Sequence, residues 1–236
     1  MDAIITLSQL YPAVFYSLVF FVSLMVGSFL NVVIYRLPIM MERSWQQEYQ
    51  SYFSEGAPTP HDKNSSASEE VFNLVKPDST CPSCGHKIRA WENVPVISYL
   101  FLKGKCAKCK VGISVRYPLV ELFTALACTF AAYQFGVTSQ ALWAVLFTYI
   151  LVALLFIDLD KMLLPDQLTL PLLWLGLLLS TQHIFVGTTD AIIGAAAGYL
   201  SLWSVYWLFK LATGKEGMGY GDFKLLAALG AYTGWQ

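Results

Sequence analysis

The run from Pro12 to Tyr35, without one charged side chain, constrains this chain more than any other feature. It is long enough to cross about 30 Å of hydrocarbon as a tilted helix. No Lys or Arg precedes it and Asp2 is the one charge before it. The basic leader of a cleavable signal peptide is therefore missing, and residues 12–36 are expected to stay as a first transmembrane helix. Further apolar runs fall at 117–135, 140–157, 167–186 and 190–209, each near one span in length. The joints Gly136-Val137-Thr138-Ser139 and Gly187-Thr188-Thr189 are expected as tight turns between antiparallel neighbours. Only 13% of residues are charged, against roughly 25% in soluble domains. The chain reads as an all-α polytopic membrane protein with about six helical segments. Gly194-Ala195-Ala196-Ala197-Gly198 is a small-xxx-small face suited to close helix packing.

The basic residues orient the spans. Of 15 Lys and Arg, 11 lie between Arg36 and Arg116, and the others are Lys161, Lys210, Lys215 and Lys224. Positive residues near helix ends mark the cytoplasmic side, so the first long loop is expected in the cytoplasm and the N-terminus outside. The Lys161 and Lys210–Lys224 joints then fall on the cytoplasmic side too, and the joints left outside contain no Lys or Arg. The net charge of −1 gives no reason to expect a nucleic-acid partner. After Asp222 the last run reaches only Gln236, a rise of about 21 Å as a helix, short of a bilayer. A C-terminally truncated bundle, or a re-entrant last segment, is the expectation.

The loop at 37–116 has two characters. Residues 40–80 carry polar, turn-rich stretches such as Asn64-Ser65-Ser66-Ala67-Ser68 and are expected as a flexible insert. Beyond them stand Cys81-Pro82-Ser83-Cys84 and Cys106-Ala107-Lys108-Cys109. Two CxxC pairs at this separation read as a structural zinc ribbon with Cys81, Cys84, Cys106 and Cys109 as ligands, since four thiolates leave no open position for water. A reducing cytoplasm argues against disulfides. Cys128, inside a span, is expected as a small packing residue, and His86 as a solvated neighbour rather than a ligand. Between the knuckles, 91–102 is too apolar for a free loop and too short to span, so an interfacial or re-entrant segment at the lipid is expected.

Candidate chemistry rests on carboxylates. Asp158 closes one apolar run, followed by Asp160 and Asp166. Asp222 opens another, behind Gly219-Tyr220-Gly221. The expected topology puts Asp158 and Asp222 at cytoplasmic helix ends, where two carboxylates in a low-dielectric site can share acid and base work. Other protease chemistries are poorly served, with three histidines and no HExxH or GxSxG. Spacing alone does not separate Asp158 from Asp160. A non-enzymatic zinc-ribbon scaffold or transporter subunit explains the cysteines but gives the glycines before Asp222 no purpose.

Together, Asp158…Pro165-Asp166, Gly219-Tyr220-Gly221-Asp222 and the paired CxxC loop resemble the bacterial type IV prepilin peptidases of the GxGD class of membrane aspartyl proteases. Gly27-Ser28-Phe29-Leu30-Asn31 through Leu37-Pro38 and Arg116-Tyr117-Pro118-Leu119-Val120-Glu121 fit the same family. The resemblance runs from about residue 15 to 236, interrupted at 40–77. It implies about eight spans in the family, a peptidase bundle over 117–236, and Asp158 and Asp222 as the catalytic pair. It also implies cleavage of prepilin and pseudopilin leaders after a glycine, then N-methylation of the new terminus from S-adenosylmethionine, at the inner membrane. A peptidase without methyl transfer is the near alternative. The residues that hold the methyl donor, the oligomeric state, and the choice between pilus and type II secretion stay open.

Overall fold

The first helix outruns the apolar segment that starts it. In the computed structural model, which describes residues 11–54 and 72–235, α1 spans Pro12–Ser54. Pro38 lies inside it and is fully buried. A proline there leaves the carbonyl four residues back without its N–H partner, a loss that long membrane helices absorb. Beyond it, Glu42, Arg43, Gln46, Gln47 and Glu48 are good helix formers. The first part of the expected flexible insert is therefore helical as far as Ser54. Residues 55–71 of that insert lie outside the described residues.

The chain divides into two compact units, residues 24–122 and the remainder. In the first, α1 from Leu24 onward is wrapped by the segment 72–77. Arg36 is 8% exposed; its guanidinium donates to the carbonyls of Asn73 at 3.0 Å, Leu74 at 3.4 Å and Pro77 at 2.6 Å. Phe72 stacks on Arg36 and Arg43. The unit also holds the cysteine knuckles, a 3₁₀ turn at Ala90–Asn93, a one-turn helix α2 at Ile97–Phe101 and the start of α3, Arg116–Phe135. No strand forms among the described residues; two isolated antiparallel bridges, Thr80 to Lys87 and Lys105 to Gly112, stand in their place.

The second unit is a helical bundle of α4 (Ser139–Lys161), α5 (Asp166–Ser180), α6 (Thr188–Thr213) and α7 (Tyr220–Thr233), with the rest of α3 and α1 as far as Ser23. Thr138 caps α4 by accepting the Ala141 N–H, a usual stop for the orphan amides of a first turn. Leu154, Leu172, Leu179, Ala228 and Tyr232 form the buried centre. The glycine face of α6 packs on α7 as a small-residue stripe should. A methyl group on Gly194 would strike the Gly230 carbonyl, and one on Gly198 would lie 2.6 Å from the Leu226 oxygen.

The expected span at 167–186 is shorter than its apolar run. α5 stops at Ser180, and His183 takes a left-handed conformation at φ 55°. Ile184 and Phe185 then fold back onto the bundle, Phe185 against Phe135 and Tyr232. α1, α3, α4 and α6 are each long and apolar enough to cross a membrane. In α6 only 11% of the apolar window is buried within the chain, and Ile192, Leu200, Val205 and Leu208 point outward. That outward surface needs an apolar cover, lipid or protein, and the protein is a multi-pass membrane protein.

Candidate functional site

Where α4 ends, its register separates the two candidate aspartates. Residues two apart on a helix diverge by about 200°. Asp158 follows the fully buried Ile157 and is half-buried, while Asp160 is exposed. The helix terminates because Met162 adopts the left-handed conformation and returns its N–H to the Asp158 carbonyl at 2.8 Å. A short loop leads to buried Pro165, which opens α5 with Asp166 in its first turn.

Asp222 is half-buried in the first turn of α7. Its neighbour Phe223 is fully buried against the rings of Tyr199, Tyr206 and Tyr220, which fixes the rotation of that turn. Two contacts join the α4–α5 loop to it. A methyl on Gly221 would lie 2.7 Å from Leu164 Cβ and 3.3 Å from the Leu164 carbonyl oxygen, so the loop rests directly on glycine backbone. Lys224 Nζ donates to both oxygens of Asp166 at 2.7 Å. The chain after Asp158 is therefore seated on the residue before Asp222. Neither the Asp158 nor the Asp222 carboxylate has an ion-pair or hydrogen-bond partner among the described residues, whereas Asp166 is taken by Lys224. Sequence reading missed Lys224 and Leu164. The signal for Lys224 was its place two residues past Asp222, on a turn already singled out; for Leu164 there was none.

The four cysteines form a second, separate constellation. Two knuckles repeat one another. In the first, Cys81 N–H bonds the His86 carbonyl and Gly85 N–H the Cys81 carbonyl; in the second, Cys106 N–H bonds Val111 and Lys110 N–H bonds Cys106. Gly85 at φ 66° and Lys110 at φ 61° occupy the same left-handed corner. Cys81 and Cys109 sulfurs stand 3.7 Å apart and Cys84 and Cys106 sulfurs 4.0 Å, and all four thiols are free. A tetrahedral ion with bonds of about 2.3 Å sets its sulfurs about 3.8 Å apart, so the cluster could hold a metal ion. The backbone N–H groups of Cys109 and Lys108 hold the Cys106 thiol down at about 6. Cys109 also receives an N–H, from Val111, yet desolvation and the three neighbouring sulfurs push it up to about 11.

His86 is not among the four ligand candidates. Its Nε2 meets Glu92 at 3.1 Å, and Glu92 is held below the usual carboxylate range by the Arg89 N–H first and by His86 next. Cys128 is fully buried in α3. A further acid, Glu121 in α3, is 7% exposed and accepts the Val96 N–H at 2.8 Å. Val96 sits at φ 58° and ψ −47°, a positive-φ position outside the left-handed helical region and strained for a β-branched residue.

A prepilin leader peptidase/N-methyltransferase of Aeromonas salmonicida is 59% identical over 236 residues, covering all of this chain and 79% of that protein. The description of the family model that matches residues 145–236 is the type IV leader peptidase family. The chain belongs to that family. The bacterial peptidase A24 N-terminal domain matches residues 21–135. Proteins of the same name from Pseudomonas aeruginosa and Neisseria gonorrhoeae are 54% and 50% identical, over 96% and 89% of this chain and 75% and 71% of theirs. No solved structure matches. Within the family frame, all four cysteines fall in the N-terminal match and both Asp158 and Asp222 in the peptidase match.

Proposed function

We propose that this chain cleaves the leader peptide of type IV prepilins and pseudopilins after a glycine, on the cytoplasmic side of the inner membrane, and N-methylates the new terminal residue. The observation that carries this reading is similarity over the whole chain to proteins named for both activities, with Asp158 and Asp222 inside the peptidase match. The seating of Leu164 on Gly221 supports Asp158 and Asp222 as one catalytic pair. In that pair one carboxylate takes a proton from water as the water oxygen attacks the scissile carbonyl carbon. The other gives its proton to the departing amine as the peptide C–N bond breaks. A cut site just before an apolar helix suits carboxylates at the cytoplasmic ends of spans.

The parts divide as a first span at 12–36, a cytoplasmic loop at 37–116 and the peptidase bundle at 117–236. In the loop, zinc held by Cys81, Cys84, Cys106 and Cys109 is structural, for the spacing of the sulfurs suits it and no ligand position stays open. S-adenosylmethionine, when bound, supplies an electrophilic methyl to the new terminal amine. The cleft of about 380 Å³ lined by Trp91, Val94, Ile97, Ser98, Phe101 and Leu102 does not fit that donor. Its one hydroxyl, on Ser98, already donates to the Val94 carbonyl at 2.7 Å, and no carboxylate is present for a ribose. The deciding experiment incubates the purified chain in lipid nanodiscs with a prepilin and the methyl donor, read by mass spectrometry. Loss of the leader with gain of one methyl on the new terminus is expected; an intact prepilin overturns the reading.

A further inference from the structure

We propose that the segment between the cysteine knuckles is an interfacial membrane anchor that takes anionic phospholipid. Trp91, Ile97, Leu100 and Phe101 are 59%, 48%, 68% and 84% exposed, all on the 3₁₀ turn and α2. Large side chains clustered this way are costly against water. The cleft of about 380 Å³ beside them is almost wholly apolar. What covers them is given by where the segment is tied. The Val96 N–H donates to Glu121, five residues into α3, or about 7.5 Å along the helix from Arg116. α3 is one of the helices able to cross the membrane. The tie therefore holds the apolar ridge at the depth of a span's cytoplasmic end, where headgroups give way to acyl chains. Strain at Val96 is held by that same bond.

Charge names the lipid. From Asn93 to Val120 the sequence has five cations, Lys103, Lys105, Lys108, Lys110 and Arg116, and its carboxylates stand only at the borders, Glu92 engaged by His86 and Glu121 by the Val96 N–H. The four lysines are exposed. Each cation near an anionic surface is worth roughly fivefold in partition. A prepilin segment carrying its own basic leader has the wrong sign for this patch.

The test places the whole chain in nanodiscs with brominated acyl chains. Trp91 is one of seven tryptophans, so its signal is the difference between the parent and Trp91→Phe. That difference emission is expected to be lost to bromine quenching. Phe101→Asp, at a position the core does not use, is expected to restore it, and Phe101→Leu to abolish it again. As a measure on the unsubstituted chain, amides 97–102 are expected to exchange severalfold more slowly in phosphatidylglycerol than in phosphatidylcholine discs. An unquenched Trp91, equal exchange in the two lipids, or protection that arises only when a prepilin peptide is added overturns the proposal.

Discussion

Replacing Gly221 by alanine tests how the helix ends that carry the proposed catalytic pair are seated. The new methyl would meet Leu164 Cβ at 2.7 Å and the Leu164 carbonyl at 3.3 Å, about 1 Å inside ordinary carbon contact. The obstacle is the root of a side chain and backbone, so relief requires the α4–α5 loop to move. Overpacking of this kind costs about 1–3 kcal/mol, and a displacement near 1 Å between reacting groups costs about 100-fold in rate. Gly219 provides the contrast. Its added methyl would find only Asp222 Oδ2, at 3.7 Å, and its backbone at φ −81° is open to any residue. Gly219→Ala loses at most a helix cap, about 1 kcal/mol. Prepilin cleavage by both variants in nanodiscs, as kcat/KM, should fall about 100-fold for Gly221→Ala and less than tenfold for Gly219→Ala. Leu164→Gly in the Gly221→Ala background should recover part of the loss. Equal effects of the two alanines, or a Gly221→Ala variant at the parental rate, would refute the seating.

Other outcomes follow from single contacts. Lys224→Met should cost no more than about 1 kcal/mol of stability, because the Asp166 side chain is 52% exposed and its pair is screened; a double-mutant cycle with Asp166→Asn reads the coupling. Gly85→Ala should loosen the metal while Lys110→Gly should hold it as well or better. Both sites are left-handed, a conformation that costs an L-residue roughly 1–2 kcal/mol; competition with a zinc chelator ranks the three proteins. Gly230→Leu should separate α6 from α7, since even a methyl there strikes the Gly194 carbonyl; a lowered midpoint of thermal unfolding in detergent checks it.

What the residues disclosed depended on whether local chemistry or tertiary contact decided the outcome. The cysteine knuckles were legible because CxxC geometry is local and repeats within the loop. Spans were legible from hydropathy, and Gly194 and Gly198 from their spacing. The end of α5 was not, because Ile184 and Phe185 are as apolar in a loop packed on Tyr232 as in a helix. The extension of α1 to Ser54 was hidden by polar composition, although Glu, Gln and Arg are helix formers. Asp158 and Asp160 look alike in sequence, and their difference in exposure appears only once the last turn of α4 is packed. Lys224 clamping Asp166 and Glu121 holding Val96 join residues far apart in the chain, and no local pattern announces them.

The most direct measurement of the central claim is prepilin cleavage by Asp158→Asn, Asp222→Asn, their double variant and Asp160→Asn, side by side in nanodiscs. Two carboxylates working on one water act as a unit, so their losses do not add. The account predicts that each single change at Asp158 or Asp222 abolishes cleavage, that the double change is no worse, and that Asp160→Asn keeps most of the activity. Cleavage retained by both Asp158→Asn and Asp222→Asn would contradict the aspartyl-protease mechanism, and a dead Asp160→Asn beside an active Asp158→Asn would contradict the choice of residue.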